Sequence, residues 1–168
     1  IYVYFFLHGS QFIEEEGRLG LITSNSWLDV DYGRCLQEFF LNNFKIKYII
    51  ESKVERFFKE ADVNTVITIL EKCSNREERD NNVVKFVQLT KKLPEILSYF
   101  GNKDDSYEKW PDKEKWGAVD KFISWIDKTE KFVIDEKIGV RIYLKKQKEL
   151  IKEGTYEGKY VGSKWGKY

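Results

Sequence analysis

The run Arg18-Leu19-Gly20-Leu21-Ile22-Thr23-Ser24-Asn25-Ser26-Trp27-Leu28 decides how the chain folds. Leu19 to Thr23 are apolar, β-branched or glycine, a length that suits a strand rather than a helix. An unbroken apolar run of this kind predicts a strand covered on both faces, as in a parallel sheet flanked by helices. Thr-Ser-Asn-Ser then stops it with four small polar side chains. In open α/β sheets, the crevice past the carboxyl end of a strand is where ligands sit. Asn25, Ser26 and Trp27 are therefore the first residues to ask about.

Working outward, residues 1–16 carry Tyr2, Phe6, Gly9 and Ile13 at helical spacing, which predicts a helix closed by Gly17 in the left-handed conformation. Downstream, Asp31 is placed to cap a helix over 33–43 that turns Leu36, Phe39 and Phe40 inward. Strands follow at 45–50 and 64–70, the second strongly β-branched, separated by a polar connection that holds Phe57 and Phe58. Residues 74–82 read as an exposed turn and 83–89 as a half-exposed strand. Helices are expected at 94–100 and 113–127, the latter with Trp116, Val119, Phe122, Ile123 and Ile126 on one side.

The 168 residues suit one domain with a real core, and 29 basic against 28 acidic side chains give no overall pull toward a polyanion. Two cysteines, Cys35 and Cys73, and a single histidine lack metal-ligand spacing, so a reduced cytoplasmic setting is expected and no metal. No run approaches the ~20 apolar residues of a membrane span. The absence of methionine, with Ile1 first, is read as a piece of a longer polypeptide. Charge changes near the carboxyl end: nine Lys or Arg between residues 137 and 168 face only Glu149, Glu153 and Glu157, with Tyr143, Tyr156, Tyr160, Trp165 and Tyr168 interleaved. Such a segment either tracks a phosphate backbone or is a solvated linker. A metal-dependent nuclease site is rejected, because Asp135-Glu-Lys137 lacks the spacing and Asp104-Asp105 falls in a loop.

Taken in order, the aromatic first helix, Gly17-Arg-Leu-Gly-Leu-Ile-Thr-Ser-Asn-Ser-Trp-Leu28, Gly33-Arg-Cys-Leu-Gln-Glu-Phe-Phe-Leu41, the strand ending Ile49-Ile-Glu51, and Phe58-Lys-Glu-Ala-Asp-Val-Asn-Thr-Val-Ile-Thr-Ile-Leu70 resemble the second half of the catalytic domain of adenine-specific DNA methyltransferases. The nearest subgroup is the single-chain type IIG and type IIS restriction–modification enzymes, in which target recognition follows catalysis. The resemblance is good over 1–73 and weak between 74 and 160; Trp165-Gly-Lys-Tyr168 resembles the run entering the recognition region.

The resemblance implies an α/β fold: a partial Rossmann-like methyltransferase sheet of three to four mixed strands with flanking helices, plus a helical C-terminal region. The strands at 19–24, 46–51 and 64–71 would be the family's fifth, sixth and seventh, the last antiparallel between the other two. The family's methyl donor is S-adenosylmethionine and its substrate is double-stranded DNA with one adenine rotated out of the helix. Two of its motifs are missing. No Gly-x-Gly occurs, and the catalytic tetrapeptide needs two adjacent prolines where this chain has only Pro94 and Pro111. No catalytic and no cofactor-binding residue is therefore assigned, the isolated chain is expected to be inactive, and an Asn-Pro-Pro-Tyr is expected upstream of Ile1.

By the same resemblance Phe58 would stack on the extruded base, with Phe57 the competing candidate, one of the two buried and the other available. Asn25 and Ser26 would line the pocket or hold the catalytic loop, whereas Trp27 reads as filler beneath a turn. Asp29 and Tyr32 would border the DNA cleft, and Lys145, Lys146 and Lys164 would contact DNA. Glu51 receives no role. The expected organisation is methyltransferase half at 1–92, a helical insertion at 93–136 packed on it, and a basic linker at 137–168 leading toward target recognition. The missing amino-terminal half is the implied partner, and the strand edge at 19–24 is expected to self-associate in its absence. The rival reading is a non-catalytic DNA-binding or protein-interaction module.

Overall fold

In the computed structural model, residues 2–29, 31, 33–58, 63–102 and 106–168 are described; Tyr32, residues 59–62, Asp104 and Asp105, on which parts of the sequence reading fall, lie outside the described residues. Seven helix or strand segments lead from the amino terminus to the centre of the sheet: α1 (Tyr2–Gly9), β1 (Arg18–Ser24), α2 (Gly33–Asn43), β2 (Phe44–Ser52), β3 (Thr65–Lys72), α3 (Arg76–Asn81) and β4 (Val83–Leu89). The remainder is α4 (Leu93–Gly101), α5 (Asp112–Asp127), β5 (Val133–Asp135), β6 (Val140–Lys146), α6 (Gln147–Glu153) and a small hairpin, β7 (Thr155–Tyr156) and β8 (Lys159–Tyr160).

Six strands form one mixed sheet in the order β1-β3-β2-β4-β6-β5. β3 runs antiparallel to both β1 and β2, and β2 is parallel to β4, so the carboxyl ends of β1, β2 and β4 share one side of the sheet. The expected placement of 64–71 between 19–24 and 46–51 is found. The expected strand count is too low, because β6 and β5 extend the sheet beyond β4. The segment 137–168, expected as a basic linker, is folded into the same body: it supplies β6, α6 and the deeply buried Trp165. Its pattern explains this, since Val140, Ile142 and Leu144 point to one face and Arg141, Tyr143 and Lys145 to the other.

Each face of the sheet carries its own core. On one, α1, α2 and α6 pack Phe6, Leu36, Phe40, Leu41 and Leu150 onto Phe44, Ile46, Ile49, Val66, Leu70, Val84 and Phe86. Fully burying a ring such as Phe40 contributes about 1.5–3 kcal/mol. On the other, α4 and α5 cover Tyr48, Ile50, Val87, Leu89, Val140 and Ile142. Ala118, Phe122 and Ile126 make the buried stripe of α5, at four-residue spacing. Trp116 falls outside that stripe and is exposed, contrary to the sequence reading. Lys85 closes the far end of α5 by donating to the carbonyls of Ile126 and Asp127 at 2.7 and 2.6 Å. Burial lowers the pKa of this ammonium, against the pull of Asp127.

Because α4 and α5 sit over β2, β4 and β6, β1 is not covered on both faces as its composition suggested. Leu19 and Leu21 are half-buried, Ile22 is exposed, and β1 is an outer strand of the sheet with β3 as its partner. The first helix also ends sooner than expected, at Gly9, followed by a 3₁₀ turn to Phe12. Glu16, not Gly17, takes the left-handed conformation (φ 64°). Pairing with β3 has already begun there, Glu16 N donating to Lys72 O and Lys72 N to Gly17 O, so the turn is completed one residue earlier.

One irregularity is repaired by side chains. β2 is displaced against β3 between Ile46 and Tyr48, and its parallel pairing with β4 begins only at Tyr48. The backbone ahead of that point, buried but without a strand partner on this side, is satisfied by Gln147, which accepts from Ile46 N at 2.8 Å and donates to Phe44 O at 3.0 Å. Asn82 donates to both Ile46 O and the Gln147 carbonyl at 2.8 Å. Buried backbone groups without such partners are costly.

Candidate functional site at the strand ends

The polar residues that stop β1 continue as a 3₁₀ turn, Asn25–Leu28. Asn25 is fixed at both levels. Its N–H donates to Asn64 O at 3.0 Å, just before β3, and its amide donates to Glu51 at 2.5 Å, at the end of β2. Glu51 is 8% exposed and is also paired with Lys53. A carboxylate this buried is tolerated only when paired and hydrogen-bonded. Asn25, Glu51 and Lys53 thus link the carboxyl end of β1 to that of β2, past the start of β3 between them. Glu51, to which the sequence reading gave no role, is the centre of this link; an acidic residue closing an apolar strand was the available signal.

Ser26 faces elsewhere. Its hydroxyl lies 3.0 Å from Ser24 Oγ and 3.3 Å from Tyr2 OH, so it ties the turn to α1 rather than joining Asn25. Trp27 is fully buried, edge-on to Phe40 at 5.4 Å and to Trp165 at 5.9 Å. Gly33, at the start of α2, lies so close to this turn that a Cβ would stand 2.0 Å from Trp27 O.

The connection after β2 is shaped by local bonds. Ser52 Oγ accepts from Val54 N and Glu55 N, Lys53 N donates to Leu89 O at 2.9 Å, and the Glu55 carboxylate accepts from Leu93 N at 2.6 Å. These anchors leave a depression of about 440 Å³ lined by Ser52, Lys53, Val54, Glu55, Arg56 and Asn64. Just beyond it the two phenylalanines separate. Phe57 is half-buried against the core under α4 and α5, while Phe58 is 48% exposed.

The described residues among those expected to face DNA, Asp29, Lys145, Lys146 and Lys164, do not form one surface. Asp29 and Lys164 share a depression of about 170 Å³ with Asp31 and Arg34 at the start of α2. A Cβ on Gly166 would lie 2.1 Å from the Asp29 carboxylate, so the chain near 166 presses directly on it. Tyr32 lies outside the described residues. Lys145 and Lys146 pair with Val84 and Val83 at the start of β4, hence at the opposite end of the sheet from Asn25 and Phe58. Lys145 is bonded to Glu153 at 2.8 Å and lies over the Tyr168 ring. Burial alone would raise the Glu153 carboxyl, but bonds from Lys145, Tyr168 OH and Lys167 prevail and hold it at about 2. Among the described residues no cluster of His, Cys, Asp and Glu suits a metal ion, and no helix is long and apolar enough to cross a membrane.

A second junction joins distant segments behind the site. Gln37 on α2 is 1% exposed; its amide donates to Trp27 O, Leu28 O and Ser163 O, and its carbonyl accepts from Tyr160 OH and Ser163 N. Nothing in the local sequence announces this.

Residues 1–58 match the family described as Eco57I restriction-modification methylase. Over 88 residues the chain is 30% identical to the type II methyltransferase M.BstVI of Geobacillus stearothermophilus, an overlap of 52% of this chain and 15% of that protein. The aligned segment thus spans only a small part of that relative's length. Among solved structures, the type IIG restriction endonuclease BpuSI superimposes with a TM-score of 0.59 at 16% identity, over 97% of this chain and 15% of that one. A modification subunit assigned to a type I restriction enzyme of Vibrio vulnificus YJ016 gives 0.60 at 13% identity, over 95% and 30%. At such identities these two report the fold alone. Residues 1–58 are thus similar to part of an Eco57I restriction-modification methylase domain, and the fold as a whole is similar to that of the superimposed restriction enzymes.

Proposed function

We propose that this chain is the carboxy-proximal part of an adenine-specific DNA methyltransferase domain, which completes the sheet and supplies one wall of the pocket for an extruded adenine. The observation that carries the reading is Phe58, half exposed beside the strand ends while its neighbour Phe57 is turned into the core. An aromatic face there would replace the stacking an extruded base has lost, worth roughly 1–3 kcal/mol per base. Asn25, held by Glu51 and Asn64, would steady the turn that borders the pocket. The methyl donor of the whole enzyme would be S-adenosylmethionine. The residues present do not fit it, for no Gly-x-Gly loop occurs in the sequence. This chain's share is therefore binding and orientation of the target strand, in a cytoplasmic enzyme acting on DNA.

The missing partner would be the amino-terminal half of the catalytic domain. Its docking place would be the β1 side of the sheet, where Ile22, Tyr4, Phe5 and Phe12 are exposed next to an outer strand. The alternative of a non-catalytic DNA-binding module rested on the basic tail, and that tail is folded with Lys145 engaged by Glu153.

The test is complementation. Co-expressed with the upstream half of its parent, the chain should restore transfer of labelled methyl groups to adenine in duplex DNA, and Phe58→Ala should lower that transfer at unchanged stability. Restored transfer that is indifferent to Phe58→Ala would remove the stacking role; label found on cytosine would remove the adenine assignment.

A further inference from the structure

Resting on the base-stacking reading of Phe58, we infer that the depression formed by Ser52, Lys53, Arg56 and Asn64 binds a backbone phosphate of the nucleic-acid strand whose base lies on that ring. The loop is built rather than slack: the Ser52 hydroxyl takes two successive backbone N–H groups, Lys53 N is fastened to β4, and the Glu55 carboxylate is occupied by the start of α4. Lys53 is placed by Glu51, which is itself held by Asn25, so the ammonium stands at a fixed height above the strand ends. Its side chain keeps 40% of its exposure, enough to meet a second anion while remaining in contact with the first. Arg56 is exposed on the same rim, and the hydroxyl and amide of Ser52 and Asn64 complete the lining.

The chemistry required is that of a phosphodiester: a point charge, a guanidinium and neutral donors around a depression of about 440 Å³, larger than a single phosphate group and open to a continuing strand. Phe58 follows Arg56 by two residues. A strand that gives its base to the ring would therefore bring its own phosphates to this rim. The contact is sequence-independent and positions the nucleotide; it reads no base.

The test uses the whole chain and a short single-stranded oligodeoxynucleotide carrying 2-aminopurine, titrated at several chloride concentrations. Lys53→Gln and Arg56→Gln should each reduce the slope of log affinity against log salt, and together by about 0.7, the value per phosphate on single strands, and leave the fluorescence change at saturation intact. Lys53→Arg should keep the slope. Arg56→Gln keeps the test decisive if Lys53→Gln disturbs the Glu51 pairing. Phe58→Ala should do the reverse, abolishing the fluorescence change at unaltered slope; if it leaves the fluorescence change in place, the stacking reading fails while the slopes still decide the phosphate. Slopes unchanged in both charge variants would overturn the inference. Displacement of the oligonucleotide by inorganic phosphate, beyond the effect of chloride at equal ionic strength, would overturn it as well, by marking a site for free anions.

Discussion

Gln37→Ala removes the side chain that ties the turn after β1 to the segment around Ser163. The side chain is 1% exposed and serves three carbonyls, one N–H and one phenolic hydroxyl. An amide has only two N–H donors, so the contacts at 3.2, 3.3 and 3.0 Å are shared among them. Truncation leaves at least two buried carbonyls and the Ser163 N–H without partners, at about 1–3 kcal/mol each. Water entering from the neighbouring depression recovers part of this, which brings the expected loss to about 3 kcal/mol. With a urea dependence of about 2 kcal/mol/M, the unfolding midpoint should fall by about 1.5 M. Tryptophan fluorescence is the natural assay, because Trp27 and Trp165 meet at this junction. Hydrogen exchange at Ser163 should accelerate at the same time. A midpoint shift below about 0.3 M, outside the range this cost implies, would refute the claim that Gln37 holds the turn to the carboxyl-terminal segment.

Gln147→Ala, which strips partners from Ile46 N and Phe44 O, should cost about 2–3 kcal/mol by urea unfolding; a loss near zero would mean water replaces the side chain without penalty. Glu153, held at about 2 in the fold against an ordinary value of 4.5, contributes stability that is complete above its unfolded pKa and is lost as pH falls from about 4.5 toward 2. Unfolding curves across that interval should show the loss in the native sequence and a smaller one in Glu153→Gln; identical profiles would count against the triple contact. Phe57→Ala should destabilise by about 1–2 kcal/mol and Phe58→Ala by no more than about 0.5, and equal effects would contradict their different burial. Light scattering should reveal concentration-dependent association through β1 that Ile22→Lys suppresses, and a strict monomer with fast exchange along 19–24 would exclude it.

What the sequence disclosed followed physical regularity. β1, β2 and β3 are apolar and β-branched, and the family likeness ordered them with β3 in the middle, as found. β6 escaped because Arg141, Lys145 and Lys146 drew attention to charge, although Val140, Ile142 and Leu144 alternate with it. The coverage of β1 was misjudged for a different reason. Composition reports that a strand can be buried, but which neighbours cover it depends on where α4 and α5 settle, and they settle over β2, β4 and β6. At the site, the contrast between Phe57 and Phe58 was anticipated as a pair and resolved only by packing. Glu51 and Gln37 were illegible because each acts through partners far along the chain, 26 residues away for Glu51–Asn25 and 126 for Gln37–Ser163. Lys145 and Lys164 were grouped by proximity in sequence, while the path of β6 carries them to opposite ends.

Trp165, wedged against Trp27 and Phe86, also sets a timetable. Residues 25–28 cannot be sealed until the segment around Trp165, about 140 positions later in the chain, has been made, so over that interval of synthesis an unfilled aromatic slot stands open beside them. A growing polypeptide in that condition is a natural client for a holding chaperone. Deletion of residues 165–168 should reproduce the condition permanently, giving a product that is translated in full measure and recovered mainly from the insoluble fraction.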